Sequence, residues 1–186
     1  MKYFGAIDQG TTSSRFIVFN ENGKIISQHQ QELIQYFPDE VSVEHDPIEI
    51  WKSVKNCINE VDKQFSISQL SSIGITNQRE TTLAWSKSSG KPLFNALVWQ
   101  DTRTQDICDE LKEIKELSTQ FSQTGLPIAT YFSLSKILWL IRNVDEVQKA
   151  AASNDLCFGT IDSWLLFKLT GNHVTDVTNA SRTLLM

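Results

Sequence analysis

Long apolar runs, basic tracts and paired cysteines are all scarce in this sequence. No stretch approaches the roughly 20 apolar residues of a membrane-spanning helix, and the apolar run before Asp8 is shorter than a signal peptide requires. The chain has 17 basic and 22 acidic residues, a net charge of −5, which argues against nucleic acid or an anionic membrane as the main partner. We therefore expect no nucleic-acid partner, no membrane span and a cytoplasmic location.

The three cysteines, Cys57, Cys108 and Cys157, lie far apart and lack the spacing of metal ligands. They predict reduced, buried thiols rather than disulfides or a metal centre. Hydrophobic residues make up 40% and charged residues 21% of the 186 residues, as in ordinary globular proteins. This length suffices for one domain with its own core.

Apolar and turn-forming residues predict an α/β protein that opens with an antiparallel meander. The predicted opening strands are residues 2–8, 15–20 and 24–30, with the hairpin signal Asn22-Gly23 between the last two. After an irregular segment, Asp46 and Pro47 predict the start of a helix. Its apolar face is predicted from the spacing of Ile48, Trp51, Val54, Ile58, Val61 and Phe65.

The rest of the chain is predicted to alternate between short strands and helices, giving a mixed sheet flanked by helices. The strands are Ile73–Thr76, expected to be buried, and a hairpin of residues 81–86 and 93–99. Residues 104–117 are predicted to form a helix whose apolar face consists of Ile107, Leu111, Ile114 and Leu117. Residues 133–143 are predicted to form a helix that is largely buried, and a last helix runs from Asp162 to about Leu169, where Gly171-Asn172 closes it. Gly159 is expected to mark a turn.

The turn between the first two strands, Asp8–Arg15, concentrates groups that suit nucleotide phosphates. Between its carboxylate and its guanidinium lie Gly10 and the hydroxyls of Thr11, Thr12, Ser13 and Ser14. Glycine adopts backbone angles closed to other residues, turn N–H groups bind anions, and one carboxylate suffices for a hydrated divalent cation. An ordinary hairpin turn, built from the same residue types, is the alternative. A P-loop is excluded because no lysine follows the glycine and the next element is a strand.

A second polar group follows the predicted strand Ile73–Thr76. Arg79 only donates hydrogen bonds and an ionised Glu80 only accepts them, so the pair suits the hydroxyls of a polyol. A surface ion pair is the alternative. Trp99 and Tyr131 follow later in the chain, and each is explained equally by core packing and by contact with a small alcohol.

Taken together, these motifs resemble the glycerol kinases of the FGGY carbohydrate kinase family, within the actin-like ATPase superfamily. The resemblance covers essentially the whole chain through Asp8–Arg15, Val43–Pro47 with Trp51, Gly74–Thr81, Trp99-Gln100, Tyr131–Ser133, Gly159–Asp162, His173–Asp176 and Thr178–Thr183. It implies an actin-like, ribonuclease H-like α/β fold. It also implies that residues 1–186 are the N-terminal domain of a longer kinase, without the C-terminal domain.

The resemblance further implies ATP- and Mg²⁺-dependent phosphorylation of glycerol to sn-glycerol 3-phosphate. By the same resemblance, Asp8 would hold the metal, Thr11, Thr12, Ser13 and Arg15 would contact the nucleotide phosphates, Arg79, Glu80 and Tyr131 would bind glycerol hydroxyls, and Trp99 would pack on the glycerol carbons. The family's general-base aspartate belongs to a later motif, beyond Met186. We therefore expect no catalytic residue in this chain and an inactive fragment, and we expect the full enzyme to be a homo-oligomer.

Other functions fit parts of the sequence. One is a non-catalytic, glycerol-binding or regulatory module, and another is a kinase of a different polyol or sugar. An actin-like ATPase with a mechanical role fits the opening hairpin alone by fold analogy, and the motif at Arg79 and Glu80 counts against it.

Overall fold

The computed structural model describes residues 1–116, 121 and 123–185, which form two compact units. The first consists of Met1–Gln35 and Ile48–Gln78, and the second of Tyr36–Pro47 and Arg79–Met186. The boundary between Gln78 and Arg79 therefore falls inside the polar motif that follows the predicted strand. Among the described residues, no helix combines the length and the hydropathy of a membrane-spanning segment.

The described residues open with a run of strands and continue with a mixture of strands and helices. The strands are β1 (Tyr3–Gln9), β2 (Ser13–Asn20), β3 (Ile25–Glu32), β4 (Glu44–His45), β5 (Leu70–Asn77), β6 (Thr82–Ser86), β7 (Ala96–Leu97) and β8 (Leu156–Thr160). The helices are α1 (Pro47–Asp62), α2 (Gln105–Glu113), α3 (Ser133–Asn143), α4 (Asp145–Ala152), α5 (Ile161–Thr170) and α6 (Val177–Ala180), with a 3-10 turn at Ile67–Gln69.

The first unit is built on a mixed sheet in the order β3-β2-β1-β5. β1 and β2, and likewise β2 and β3, are antiparallel, whereas β1 and β5 are parallel. Gly23 has φ of +75°, as the predicted Asn22-Gly23 hairpin requires. The predicted meander and mixed sheet are confirmed.

Helix α1 contacts β2 of this sheet through a face rotated from the predicted one. The hydroxyls of Ser53 and Ser14 are 2.7 Å apart, and Cys57 Sγ lies 3.3 Å from the carbonyl oxygen of Ser14. Val54 and Val61 are buried as predicted. Ile48, Trp51 and Ile58 are only half-buried, because the small residues Ser53 and Cys57 occupy the contact with the strand.

Strand β5 is an edge strand, which corrects the prediction that it is buried. It is the last strand in the sheet order, and most of its residues are exposed, including Ile73 at 48%. An apolar run alone does not distinguish a central strand from an edge strand.

The second unit contains a sheet in the order β4-β7-β6-β8, antiparallel at each pairing. Its apolar cluster combines strand and helix residues: Ala84, Leu97, Leu140, Val144 and Val147. The predicted strand 93–99 is regular only at Ala96–Leu97, and neither β8 nor α4 was predicted. Gly159 lies in β8, so the prediction of a turn there is wrong. The position requires glycine because a Cβ there would lie 2.6 Å from Ser163 Cβ and 2.9 Å from Trp85 Cη2.

Two predicted helices have faces that differ from expectation. Ile107 and Leu111 of helix α2 are buried as predicted. The helix ends at Glu113, so Ile114 is 44% exposed, and Leu117 lies outside the described residues. On α3 the buried side chains are mainly polar (Ser133, Ser135, Lys136 and Leu140), whereas Ile141 is 40% exposed. The expectation that α3 is largely buried holds for Leu140, whereas Leu134, Ile137 and Leu138 are only half-buried. All three cysteines are free and buried as predicted, and burial raises the pKa of the Cys57 and Cys157 thiols.

A buried ion cluster joins β4 to the segment after β7. Arg103 Nη2 lies 2.7 Å from Glu44 Oε1 and 2.8 Å from Asp101 Oδ2. Asp101 Oδ2 also accepts the amide of Val43 at 2.7 Å. The Arg103 guanidinium lies over the ring of Trp139 on α3, 4.7 Å from its centroid. All three charged side chains are at most 9% exposed, so each depends on the others for compensation.

We expect Arg103→Met to lower the free energy of unfolding by about 3 to 5 kcal/mol, because it leaves two buried carboxylates uncompensated. The control is Arg142→Met, which breaks a pair with Glu110 whose side chains are 47% and 57% exposed. This change should cost no more than about 1 kcal/mol. Urea unfolding of both variants measures the difference, and equal losses would contradict a structural role for the cluster.

His45 of β4 is 1% exposed, and burial lowers its pKa from 6.5 to about 4. Between these two values the unfolded chain binds a proton that the folded chain does not bind. Stability is therefore lost as the pH falls from about 6.5 towards 4.

Replacing His45 with Gln should remove up to about 3 kcal/mol of this acid-dependent loss, a value that follows from the pKa shift. Thermal or urea unfolding at pH 7 and pH 4.5 measures it as a difference from the unmodified chain. His29→Gln, on β3, is the control and should leave the dependence intact. If His45→Gln and the unmodified chain lose equal stability, the buried neutral histidine is not the cause.

Candidate nucleotide and polyol sites

The turn between β1 and β2 is closed at its base by one short hydrogen bond. The amide of Gly10 donates to the carbonyl oxygen of Ser13 at 2.8 Å, which leaves Thr11 and Thr12 at the tip. Gly10 does not have a positive φ, so the expectation of special backbone angles there is wrong. The glycine instead provides room, because a Cβ would lie 3.3 Å from the Ser13 carbonyl oxygen.

Asp8 and Arg15 are directly opposite each other in the β1–β2 register, so their side chains share one face of the sheet. Arg15 donates from Nε and Nη2 to Gln30 Oε1 at 3.1 and 2.8 Å, and Gln30 Nε2 donates to Ser13 Oγ at 3.1 Å. Gln30 thus orients two candidate phosphate ligands, a role that sequence reasoning missed. Ser14, by contrast, is fully buried.

The carboxylate of Asp8 has no hydrogen-bond or ion-pair partner among the described residues. A half-buried carboxylate of this kind has the chemistry of a magnesium ligand. Within the described part of the chain, no group of three or more histidine, cysteine or acidic side chains is arranged to hold a metal.

The carboxyl ends of the parallel strands β1 and β5 are joined by two glutamines. The amide of Gln78 donates to the carbonyl oxygen of Gln9 at 2.6 Å, and Gln78 Nε2 donates to Gln9 Oε1 at 3.1 Å. Gln9 Nε2 in turn donates to the Gly10 carbonyl oxygen at 2.7 Å. The end of β5 is therefore hydrogen-bonded to the base of the turn Asp8–Arg15.

Glu80, in the second unit, is held in a strained and buried position. It has φ of +60°, which is uncommon for a residue other than glycine, and it is 2% exposed. Its carbonyl oxygen accepts Thr82 Oγ1 at 2.8 Å and Ser133 Oγ at 3.2 Å. Backbone strain that the surroundings enforce is a frequent property of ligand-binding residues.

Arg182 pairs with Glu80 and is a site residue that sequence reasoning did not assign. Its Nε lies 2.5 Å from Glu80 Oε1, and this bond raises the pKa of the guanidinium. The guanidinium also lies 5.7 Å from the ring centroid of Tyr131 and 5.0 Å from that of Phe132. The Thr178–Thr183 motif was the one available signal for this residue.

Trp99 and Tyr131 are brought together by the fold. Their ring centroids are 5.5 Å apart at an interplanar angle of 61°, an edge-to-face contact. Tyr131 is 38% exposed, and the amide of Trp99 donates to Thr81 Oγ1 at 3.2 Å. Glu80, Trp99 and Tyr131 therefore form one connected group through Arg182, an arrangement of carboxylate and aromatic side chains suited to a small polyol.

Arg79 is not part of this group. Its side chain is exposed, and its guanidinium has no partner among the described residues. The structure thus separates the two adjacent residues Arg79 and Glu80, of which only the second is buried.

Nearly the whole chain matches a known family of proteins. The sequence model described as the FGGY family of carbohydrate kinases, N-terminal domain, matches residues 3–186. The chain belongs to the FGGY family of carbohydrate kinases.

Several proteins named glycerol kinase resemble the chain along its whole length. It is 52% identical to a glycerol kinase of Fusobacterium nucleatum subsp. nucleatum over 100% of the chain, and 50% identical to one of Arabidopsis thaliana over 99% of the chain. The crystal structure of Plasmodium falciparum glycerol kinase with ADP matches 100% of the chain with a TM-score of 0.92 and 40% identity. The chain spans 38% of the length of each of these three proteins.

The fold extends to a kinase with another name. A ligand-bound xylulose kinase of Lactobacillus acidophilus matches with a TM-score of 0.85 at 23% identity. At this low sequence identity the match shows a shared fold and nothing about function. The predicted α/β fold of the actin-like ATPase type is confirmed by these matches.

Glu80→Gly should be more stable than Glu80→Ala by about 1 kcal/mol, because only glycine adopts a φ of +60° without strain. Both variants lose the bond to Arg182, so the difference in their free energies of unfolding reports the backbone strain at residue 80. Chemical denaturation of the two variants provides the measurement. An alanine variant as stable as the glycine variant would show that the site stores no backbone strain.

Proposed function

We propose that this chain is the N-terminal domain of a glycerol kinase, which transfers the γ-phosphoryl group of ATP to glycerol and forms sn-glycerol 3-phosphate. The observation that carries the proposal is the buried Glu80 carboxylate connected through Arg182 to Tyr131 and Trp99. The relatives named glycerol kinase, about half identical across the chain, support glycerol over a larger sugar.

In the proposed nucleotide site, Thr11, Thr12, Ser13 and Arg15 contact phosphate oxygens and Asp8 holds magnesium through its carboxylate. Bound magnesium would neutralise charge on the phosphates. The turn geometry supports this assignment, because Gly10 and Gln30 fix the positions of Ser13 and Arg15. The relative from Plasmodium falciparum, whose structure contains ADP, supports a nucleotide as the ligand.

In the proposed polyol site, Glu80 accepts hydrogen bonds from glycerol hydroxyls, while Tyr131 and Arg79 donate to them. Trp99 covers the carbon atoms of the substrate. Arg182 neutralises Glu80 and leaves its second carboxylate oxygen for the substrate. Exposed Arg79 has to turn towards the substrate when it binds.

We further propose that the general base belongs to the portion of the longer relatives that this chain does not match. The complete enzyme would work as a cytoplasmic homo-oligomer. The described residues would then contribute to catalysis by positioning the substrates and by stabilising the charge of the transferred phosphoryl group. These are the main contributions of proteins to phosphoryl transfer.

The chain incubated with MgATP and labelled glycerol should give no labelled glycerol phosphate. Joined to the C-terminal portion of the Fusobacterium nucleatum relative, it should give product. Glu80→Gln should lower kcat/KM for glycerol in that joined enzyme by about 10- to 100-fold, the usual loss for a charged hydrogen bond.

Glu40→Gln, at an exposed position of the same unit, is the matched control and should leave kcat/KM unchanged. Product from the chain alone would place the base inside it, with Glu80 the first candidate. A joined enzyme that prefers a larger polyol or sugar would refute glycerol as the substrate. Calorimetric titration of glycerol into the chain alone tests the polyol site even if the joined enzyme does not fold, and Glu80→Gln should abolish the binding.

A further inference from the structure

A fully buried lysine contacts the segment that carries the tyrosine of the polyol site. Lys136 lies on α3 and is 0% exposed. Its Nζ donates to the carbonyl oxygens of Thr130 and Tyr131, the latter at 3.4 Å. One ammonium group therefore holds two consecutive carbonyl groups of the main chain that precedes α3.

This ammonium group is costly to bury. The ion pairs of the described residues do not include Lys136. Desolvation lowers the pKa of Lys136 to about 8. Asp101, Cys108 and Glu80 raise this pKa in part, and the nearby Arg103 lowers it further. Since a methionine of similar length would avoid this cost, stability alone does not explain a lysine here.

The two carbonyl groups lie next to the side chains that form the polyol site. Tyr131 contacts Trp99 by its ring and lies near the Arg182 guanidinium that pairs with Glu80. The neighbouring amide of Phe132 donates to Ala129 at 3.3 Å, a long bond that restrains this turn only weakly. The lysine is therefore a principal restraint on the main chain at Tyr131.

We propose that Lys136 is a positioning residue of the polyol site, which fixes the ring of Tyr131 against Trp99 and Arg182 by holding the carbonyl groups of Thr130 and Tyr131. The inference rests on the proposed function for the identity of the substrate. It does not depend on that function for the effect of Lys136 on the Tyr131 segment.

The test compares Lys136→Met, Lys136→Arg and the exposed control Lys149→Met in the full chain. Amide hydrogen exchange, which needs no ligand, should accelerate at least tenfold at residues 129–132 in Lys136→Met, with β1 and β2 unchanged. Glycerol affinity, measured by calorimetric titration, should fall at least tenfold, while MgADP affinity stays constant. Lys136→Arg keeps a donor and should recover most of the glycerol affinity, and Lys149→Met should match the unmodified chain.

Unchanged exchange at residues 129–132 in Lys136→Met would overturn the proposal. Faster exchange with unchanged glycerol affinity would also overturn it, because the restraint would then not serve the site. A parallel fall in glycerol affinity, MgADP affinity and melting temperature would reduce Lys136 to a structural residue and refute positioning. If the unmodified chain binds no glycerol, the proposed function loses support, and the exchange result alone then decides whether Lys136 holds the segment.

Discussion

The buried guanidinium of Arg103 is the interaction on which the second unit depends. It neutralises Glu44 and Asp101 together, and it stacks on Trp139 of α3. Three stretches distant in sequence are thereby fixed by one charge cluster: β4, the chain after β7, and α3. Trp99 lies two residues before Asp101 in this restrained stretch, and its own contacts are to Thr81 and Tyr131. An apolar replacement of the cluster would preserve packing but not the directional bonds that set the register of these stretches.

Charge burial recurs where a ligand is expected. Glu80 is buried with a strained backbone and Lys136 is buried among main-chain carbonyls, whereas ordinary cores hold apolar side chains at such positions. Each arrangement opposes folding, and each is held by specific hydrogen bonds: Glu80 by Arg182, and Lys136 by the carbonyl oxygens of Thr130 and Tyr131. The second unit thus gives up stability to hold a small set of polar groups in place, a compromise typical of binding sites.

The fold was predictable where the signals are local. Asn22-Gly23 and the alternating apolar residues act within a few positions of one another, so the opening meander followed from sequence. Gly159 resembled a turn residue because the demand for a small side chain comes from Trp85 and Ser163, which local patterns do not reveal. The motifs identified Glu80, Trp99 and Tyr131 one by one. Their grouping involves Arg182, 102 residues beyond Glu80, and no local pattern connects residues so far apart.

Strand β5 has a consequence for handling the chain in solution. It ends the sheet of the first unit, and its residues, including Ile73, are largely exposed along Leu70–Asn77. An edge strand of this kind offers a row of main-chain donors and acceptors to any extended peptide, including the same strand of another copy. Neither a charged residue nor a proline interrupts the stretch Leu70–Asn77, so it lacks the usual protection against edge-to-edge aggregation. Dilute preparation or a covering strand would keep this chain monodisperse.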